Sequence, residues 1–155
     1  MSVCTRRKEE SRLLICRILA SHCALFGSPL YNLSSNTDDA VEELHLAPYA
    51  LLSHGLGKDP LFTYGNQTAL GLFELTDEQI LCTPSRTSAE KNDQASRGKF
   101  MQSVKEKGYA EGYSGIRISS TGKKFKILNA SIWNILDDGK VIIGQAAAFM
   151  KWENI

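Results

Sequence analysis

Asp59-Pro60-Leu61-Phe62-Thr63-Tyr64-Gly65-Asn66 is the stretch on which the fold turns. Its proline-bearing turn leads into a short strand, and Asn66 stands where an asparagine caps a helix beginning at Gln67. Upstream, Tyr49-Ala50-Leu51-Leu52-Ser53-His54 reads as an apolar strand. Gly55 to Pro60 turns it back onto Leu61–Tyr64, so the two runs form a hairpin. Downstream, Gln67 to Phe73 is a short helix, and Thr76 caps another with Asp77 and Glu78 in its first turn, where the helix dipole favours carboxylates. Thr83-Pro84-Ser85-Arg86-Thr87-Ser88 is a hydroxyl-rich loop around one arginine. Ala89 to Lys107 then reads as a longer helix, polar except for Phe100, Met101 and Val104.

From Tyr109 onward the period changes to two. Strands are expected over Tyr113–Ser119, Lys124–Leu136 and Val141–Phe149. Ser120-Thr121-Gly122 and Asp137-Asp138-Gly139 separate them as hairpin turns, each with a glycine for positive φ. Simple alternation in Lys124–Leu136 places Phe125, Ile127, Asn129, Ser131, Trp133 and Ile135 on one face, against Leu128, Ala130, Ile132 and Asn134 on the other. Both faces are apolar towards its C-terminal half, and Val141–Phe149 is apolar both ways too. An antiparallel sheet covered on one side should alternate polar and apolar, so a second layer is required.

The natural cover is an amphipathic helix over Glu9–Phe26. Leu14, Ile18 and Leu25 recur at helical spacing, with Leu19, Cys23 and Phe26 beside them, and Gly27-Ser28-Pro29 ends the run. A second subunit is the other candidate for that role. Thr37 reads as the cap of a further helix, Asp38–Leu46, which Pro48 stops.

A chain of 155 residues, with 43% hydrophobic and 23% charged residues, has the size and composition of an ordinary globular domain. The formal charge of +1 argues against a general nucleic-acid binder, which needs a clustered basic excess. Arg6-Arg7-Lys8 reads as a solvated terminus, and Lys123-Lys124 with Lys126 as a wet strand edge. The four cysteines are irregularly spaced and form no Cys-x-x-Cys pair, which fits reduced thiols and a cytoplasmic chain better than a disulfide framework. Glu9, Glu10, Arg17 and His22 break up the apolar N-terminal run, so neither a signal peptide nor a membrane span is expected. No nucleophile elbow, phosphate loop or metal-ligand spacing appears, so no enzymatic activity is expected.

Hairpin, short helices, one longer helix and three meandering strands is the PAS order, and Phe62-x-Tyr64-x-Asn66-x-x-Ala69-Leu70 with Asp137-Asp138-Gly139-Lys140 and Gly144 is similar to the general PAS pattern. The chain resembles the MEKHLA family of PAS-like domains more closely. His45-Leu46-Ala47-Pro48-Tyr49, Leu52-Ser53-His54-Gly55, the Asp59–Asn66 block and Pro84-Ser85-Arg86-Thr87-Ser88-Ala89-Glu90 carry that resemblance. So do Gly108-Tyr109, Tyr113 to Ser120, Trp133-Asn134 and Gly144-Gln145-Ala146-Ala147-x-Phe149. The family occurs at the C-terminus of plant homeodomain–zipper proteins and as short free-standing proteins, and the lack of a DNA-binding module here points to the free-standing type.

The resemblance implies an α+β, PAS-like fold: a five-stranded antiparallel sheet with flanking helices and an N-terminal amphipathic helix on the outer sheet face. Residues 1–36 are read as a helical extension packing on the sheet, and 37–155 as the PAS-like domain. It implies a small-molecule sensor or protein-interaction module, with a constitutive dimerisation domain of filled core as the alternative. The expected partners are a small organic ligand and a second copy of the chain, met through the N-terminal helix and sheet face. Neither nucleic acid nor membrane is expected.

Haem-binding PAS domains take their proximal histidine from the long helix, and Ala89–Lys107 has none, which disfavours haem. Photoactive flavin needs an Asn-Cys-Arg-Phe-Leu-Gln block. Cys82-Thr83-Pro84-Ser85-Arg86-Thr87 stands there instead, and counting from Gly144 turns Gln145 away from the flavin side. Cys82 reads as a small buried residue.

The expected ligand-binding residues are His54, Tyr64, Phe73, Arg86, Phe100, Tyr113, Arg117, Phe125 and Trp133. His54 is either a pocket or switch histidine or a hydrogen-bonded turn residue. Arg86 is either an anion clamp or a loop staple bonded to backbone carbonyls or Glu90. Arg117 either reaches the pocket or pairs with a surface carboxylate. Tyr64, Phe73, Phe100, Phe125 and Trp133 are expected to line the space between sheet and helices, as core or as pocket wall.

Overall fold

The computed structural model describes residues 3–31, 33–34, 36–89 and 94–155. The Arg6-Arg7-Lys8 side chains and Glu90, on which two sequence expectations rest, lie outside what is described. The chain runs α1 (Val3–Phe26), α2 (Thr37–Leu46), β1 (Ala50–His54), β2 (Phe62–Gly65), α3 (Gln67–Phe73) and α4 (Asp77–Ile80). A 3-10 turn follows at Ser85–Ser88, then α5 (Gln94–Lys107), β3 (Tyr109–Ile118), β4 (Lys124–Leu136), β5 (Ile142–Phe149) and β6 (Lys151–Asn154). All strand pairs are antiparallel, in the order β2-β1-β5-β4-β3. The fold is α+β and PAS-like.

The sheet has six strands where five were expected, because the chain after Phe149 pairs again. β6 lies on β4 in the register β5 has just left: Ser131 faces Ala148, and Leu128 faces Lys151. β5 and β6 are thus one line of chain interrupted at Met150, and the interruption is built into β4. Asn129 has φ +54° and Gly112, across from it on β3, has φ +79°. The β3–β4 register shifts on both sides of Tyr113, and Ser114 Oγ accepts the Asn129 N–H at 3.1 Å.

This bulge corrects the sequence-based parity. A bulge inserts one residue and so reverses the facing of everything after it. Phe125 and Ile127 share the inner core with Ala130 and Ile132, while Trp133 and Ile135 belong to the outer core. Phe125 and Trp133, which alternation places together, lie on opposite faces of the sheet.

Two cores result. The inner one gathers Leu52, Phe62, Phe73, Val104, Tyr113 and Phe149 between the sheet and α3–α5. The outer one gathers Ile15, Ile18, Leu44, Leu51, Tyr64, Trp133 and Ala148 between the sheet and α1 with α2. The second layer therefore comes from this chain's own α1. Its buried stripe is Ile15, Ile18, Ser21 and His22, while Cys23, expected on the apolar side, is exposed. Ser21 is buried because its hydroxyl accepts the backbone N–H of Leu136 at 2.8 Å, and the indole of Trp133 donates to the carbonyl of Ile18 at 3.1 Å. Gly27 ends α1 at φ +77°, its N–H bonded to the carbonyl of Cys23 at 2.9 Å.

Asn66 ties four segments together. Its Oδ1 accepts from Leu51 N at 3.0 Å and, as the cap of α3, from Ala69 N at 3.1 Å. Its Nδ2 donates to the carbonyls of Leu44 at 2.9 Å and Tyr49 at 2.8 Å. The side chain is fully buried with its bonding capacity used. Thr76 caps α4 in a capping box with Gln79, as expected. The cap of α2 is Asn36, which accepts from Asp38 N and Asp39 N, and Thr37 is the first helical residue.

Two turns also depart from expectation. In the β4–β5 hairpin the positive φ falls on Lys140, at +62°, and not on Gly139. The Asp137 carboxylate makes this turn by accepting the N–H groups of Gly139 and Val141, each at 2.9 Å, which displaces the left-handed position by one residue. Ala89, read as the start of α5, pairs instead with Arg117 of β3 in an isolated bridge.

Candidate functional site

β1, β5 and β4 lie side by side, and every second residue of each faces the inner core. Leu52 pairs with Ala147 and His54 with Gln145, while Ala147 pairs with Ile132 and Gln145 with Asn134. The segment after α4 then closes over this surface. Leu61 bridges to Pro84, Phe62 N donates to Thr83 O at 3.0 Å, and Ser85 N donates to Pro60 O at 2.9 Å. The Asp59–Asn66 block and the Pro84–Ser88 block are thus two edges of one structure.

Between this strap, α5 and the sheet lies a cavity of about 70 Å³. Leu52, Phe62, Ile132, Ala147 and Phe149 make its apolar walls, and Met101 borders it from α5. His54, Ser85, Ser88, Arg117 and Gln145 bring polar atoms to it.

Each polar group is held by local geometry. His54 Nδ1 lies 2.8 Å from the carbonyl oxygen of Gly55. A carbonyl only accepts, so Nδ1 carries the proton. Ser88 Oγ donates to Ser85 O at 2.8 Å, closing the 3-10 turn. Arg117 donates from Nη2 to the phenol oxygen of Tyr113 at 3.1 Å and from Nη1 to Ile116 O at 3.2 Å, with its Cζ 5.4 Å from the centre of the Tyr113 ring. Phe100 packs edge-on against that ring, with centroids 5.0 Å apart.

Of the nine residues singled out from sequence, His54, Tyr113 and Arg117 line this cavity, and Phe100 packs against Tyr113. Phe73 and Phe125 stack edge-on at 5.1 Å in the inner core, beside the cavity wall. Tyr64 and Trp133 are on the opposite face of the sheet, Tyr64 within 3.0 Å of His45 Nδ1 and Trp133 under α1. Arg86 points outward and pairs with Asp59 at 2.8 Å, so it staples the strap to the turn before β2. Of the two alternatives that sequence left open, the loop staple fits this contact, with Asp59 as the partner; the pairing with Glu90 lies outside the described residues. Cys82, read as buried, is exposed.

Gln145 was turned the wrong way by counting from Gly144. Its strand partners put it on the inner face, where Nε2 donates to Asn134 Oδ1 at 3.4 Å and the side chain borders the cavity. Pairing to neighbouring strands decides facing, and an interval from one glycine does not.

The titrations of His22, Tyr64 and Tyr49, none of which lines the cavity, are shifted. Burial lowers the His22 pKa, against the raising effects of its bond to the Ser28 carbonyl and of Glu111, and the ring stacks on Phe26 at 4.4 Å. Burial raises the Tyr64 phenol and pushes that of Tyr49 up to about 12. Among the described residues, no group of His, Cys, Asp and Glu could hold a metal ion, and no helix is long and apolar enough to cross a membrane.

Sheet order, the strap over the inner face and the cavity beneath it define a PAS-type domain. The MEKHLA domain profile matches residues 12–154, and the chain belongs to that family. A curated relative, the homeobox-leucine zipper protein ATHB-14 of Arabidopsis thaliana, is 27% identical over 150 residues. That match covers 92% of this chain but only 17% of the relative's length. Among solved structures, a PAS domain from Colwellia psychrerythraea superimposes with TM-score 0.59 at 14% identity, over 74% of this chain and 92% of its own. A light–oxygen–voltage domain studied with a flavin analogue gives 0.59 at 14%, over 74% and 83%. An RNA-binding light–oxygen–voltage receptor gives 0.61 at 14%, over 78% of this chain and 35% of its own. At these identities the likeness is one of fold.

Proposed function

We propose that this chain is a sensory module that binds a small organic molecule in the inner cavity and signals through α1, without catalysing a reaction. The observation that carries the reading is that single strands join the two places. On β4, Ile132 borders the cavity while the next residue, Trp133, is bonded to α1, and Leu136 N is bonded to Ser21. On β5, Ala147 faces the cavity while Ala148 lies in the outer core. A ligand that moves the inner side chains changes the packing under α1 by shifting an equilibrium already present.

On this reading 37–155 is the sensing unit and residues 1–36 the output, which engages a second copy or another protein. The irregularly spaced thiols, with Cys16, Cys23 and Cys82 free, support a cytoplasmic setting. The small cavity volume favours a cofactor no larger than a few heavy atoms, and so neither haem nor flavin.

The same small volume supports one other reading, a protein-interaction domain whose core is nearly filled. Native mass spectrometry against the denatured mass separates the two. A stoichiometric small molecule on the native chain supports sensing. A bare chain whose mass equals the denatured one, and which no small molecule stabilises, supports the interaction domain.

A further inference from the structure

We propose that the cavity takes a short carboxylic acid whose carboxylate is held by Arg117. This rests on the ligand-binding reading above and names its chemical class. A guanidinium has five N–H donors in a planar fork. Arg117 spends one on Ile116 O and one on the Tyr113 hydroxyl, and the ring beneath it fixes the plane. Those contacts orient the cation without neutralising it. Among the described residues the ion pairs are made by Arg12, Arg17, Arg86 and Lys123, and not by Arg117. A pre-oriented arginine beside an apolar space, paired with no carboxylate among the described residues, is complementary to a carboxylate brought by the ligand. That pairing is bidentate, charge-assisted and stronger than a bond between neutral groups.

The other walls set the size. A cavity of about 70 Å³ is smaller than the ~150 Å³ that admits a benzene ring, which excludes nucleotides and fused-ring cofactors. Ile127, Ile132, Ala147 and Phe149 offer an apolar channel for a short carbon chain, which a bare phosphate would leave unused. On the cavity wall the β1–β5 pairing sets His54 beside Gln145. The two present an imidazole and a carboxamide to a hydroxyl or oxo group on the molecule's short carbon chain. The observations therefore favour a short hydroxy- or oxo-acid over a plain fatty acid.

Thermal unfolding of the full chain tests this with lactate, pyruvate and propionate, each set against its neutral amide. The acids should raise the melting temperature saturably and the amides should not. Arg117→Gln should weaken the acids at least about tenfold, and Arg117→Lys, which keeps the charge but loses the fork, should fall between. Lys126→Gln, at an exposed position of β4, serves as the surface-charge control and should leave binding unchanged. The comparison of acid with amide on the unmodified chain stands even if Arg117→Gln fails to fold. Equal effects of acids and amides, or loss of binding in Lys126→Gln with Arg117→Gln unaffected, overturn the proposal. If the acids are inert and native mass spectrometry finds a neutral compound on the chain, the carboxylate assignment fails while sensing stands. If neither acids nor any retained molecule is found, both fail.

Discussion

The indole N–H of Trp133 donates to the carbonyl oxygen of Ile18 at 3.1 Å, binding the outer face of β4 to the middle of α1. His22 meets the same indole edge-on at 4.8 Å, and Phe26 stacks on His22. One aromatic group therefore anchors α1 to the sheet. Trp133→Phe removes the bond and part of the buried surface, and should lower stability by about 2 kcal/mol. Amide hydrogen exchange checks the site of the effect: protection should fall in α1 more than in α3 or α5.

Asn66 has two donors facing two carbonyls, of Leu44 and Tyr49. Asn66→Asp keeps the shape and the cap acceptor but sets a carboxylate oxygen against both carbonyls. The expected loss is about 3 kcal/mol or more, read from urea unfolding. An effect within about 0.5 kcal/mol, the size of an ordinary surface change, would show that the donors are dispensable.

Gly144 is where β5 presses on β1. A Cβ there would stand 2.3 Å from the carbonyl oxygen of His54. That oxygen belongs to backbone and cannot swing aside, so Gly144→Ala should cost about 2–3 kcal/mol and spread the His54–Gln145 pair on the cavity wall. Chemical denaturation measures the first effect, and the chemical shifts of the His54 ring report the second.

Glu74 caps α3 in the left-handed region, at φ +55°, and its carboxylate collects hydrogen bonds from Ser119 at 2.6 Å and from Thr121, with Lys123 Nζ 3.4 Å away. The bonds from Ser119 and Thr121 hold its pKa at about 2, down from 4.5. Because the folded form binds this proton less readily than the unfolded chain, the stabilisation is complete above pH 4.5 and is lost as pH falls towards 2. Glu74→Gln should remove that part of the acid sensitivity. Carboxyl titration by carbon NMR checks the value, and a midpoint near 4.5 would contradict the bonded geometry.

Lys140 holds φ +62° in the β4–β5 turn. Glycine has no Cβ to strain there, so Lys140→Gly should raise stability by about 0.5–1 kcal/mol despite its greater freedom when unfolded. A shift in the urea midpoint at unchanged slope is the expected signature.

Much of this was legible in the chain. Capping residues act within a turn of themselves, so Asn66 and Thr76 were identifiable from their neighbours, as was the end of α1 at Gly27. Apolar residues on both faces of Lys124–Leu136 implied a second layer, and α1 provides it. The candidate site was less legible. Tyr113, Arg117 and His54 line one cavity. Arg86, left open between anion clamp and loop staple, pairs with Asp59, and Tyr64 and Trp133 lie on the other side of the sheet from where they were expected. Gln145 and the serines of the strap acquire their place only through pairings with residues distant in sequence.

By itself, then, the sequence determined the order of elements, the caps and turns, and the need for a covered sheet, because each depends on residues within a few positions of one another. Only the tertiary structure decided which side chains face the cavity. A single bulge at Asn129 reverses the facing of the rest of β4, and nothing in the local composition announces an added residue whose cost is met by a glycine on one neighbouring strand and a serine hydroxyl beside it. The strand Asp59–Asn66 that opens the reading is legible alone, but the partner that makes it one wall of a cavity, the Pro84–Ser88 strap, is supplied by the fold.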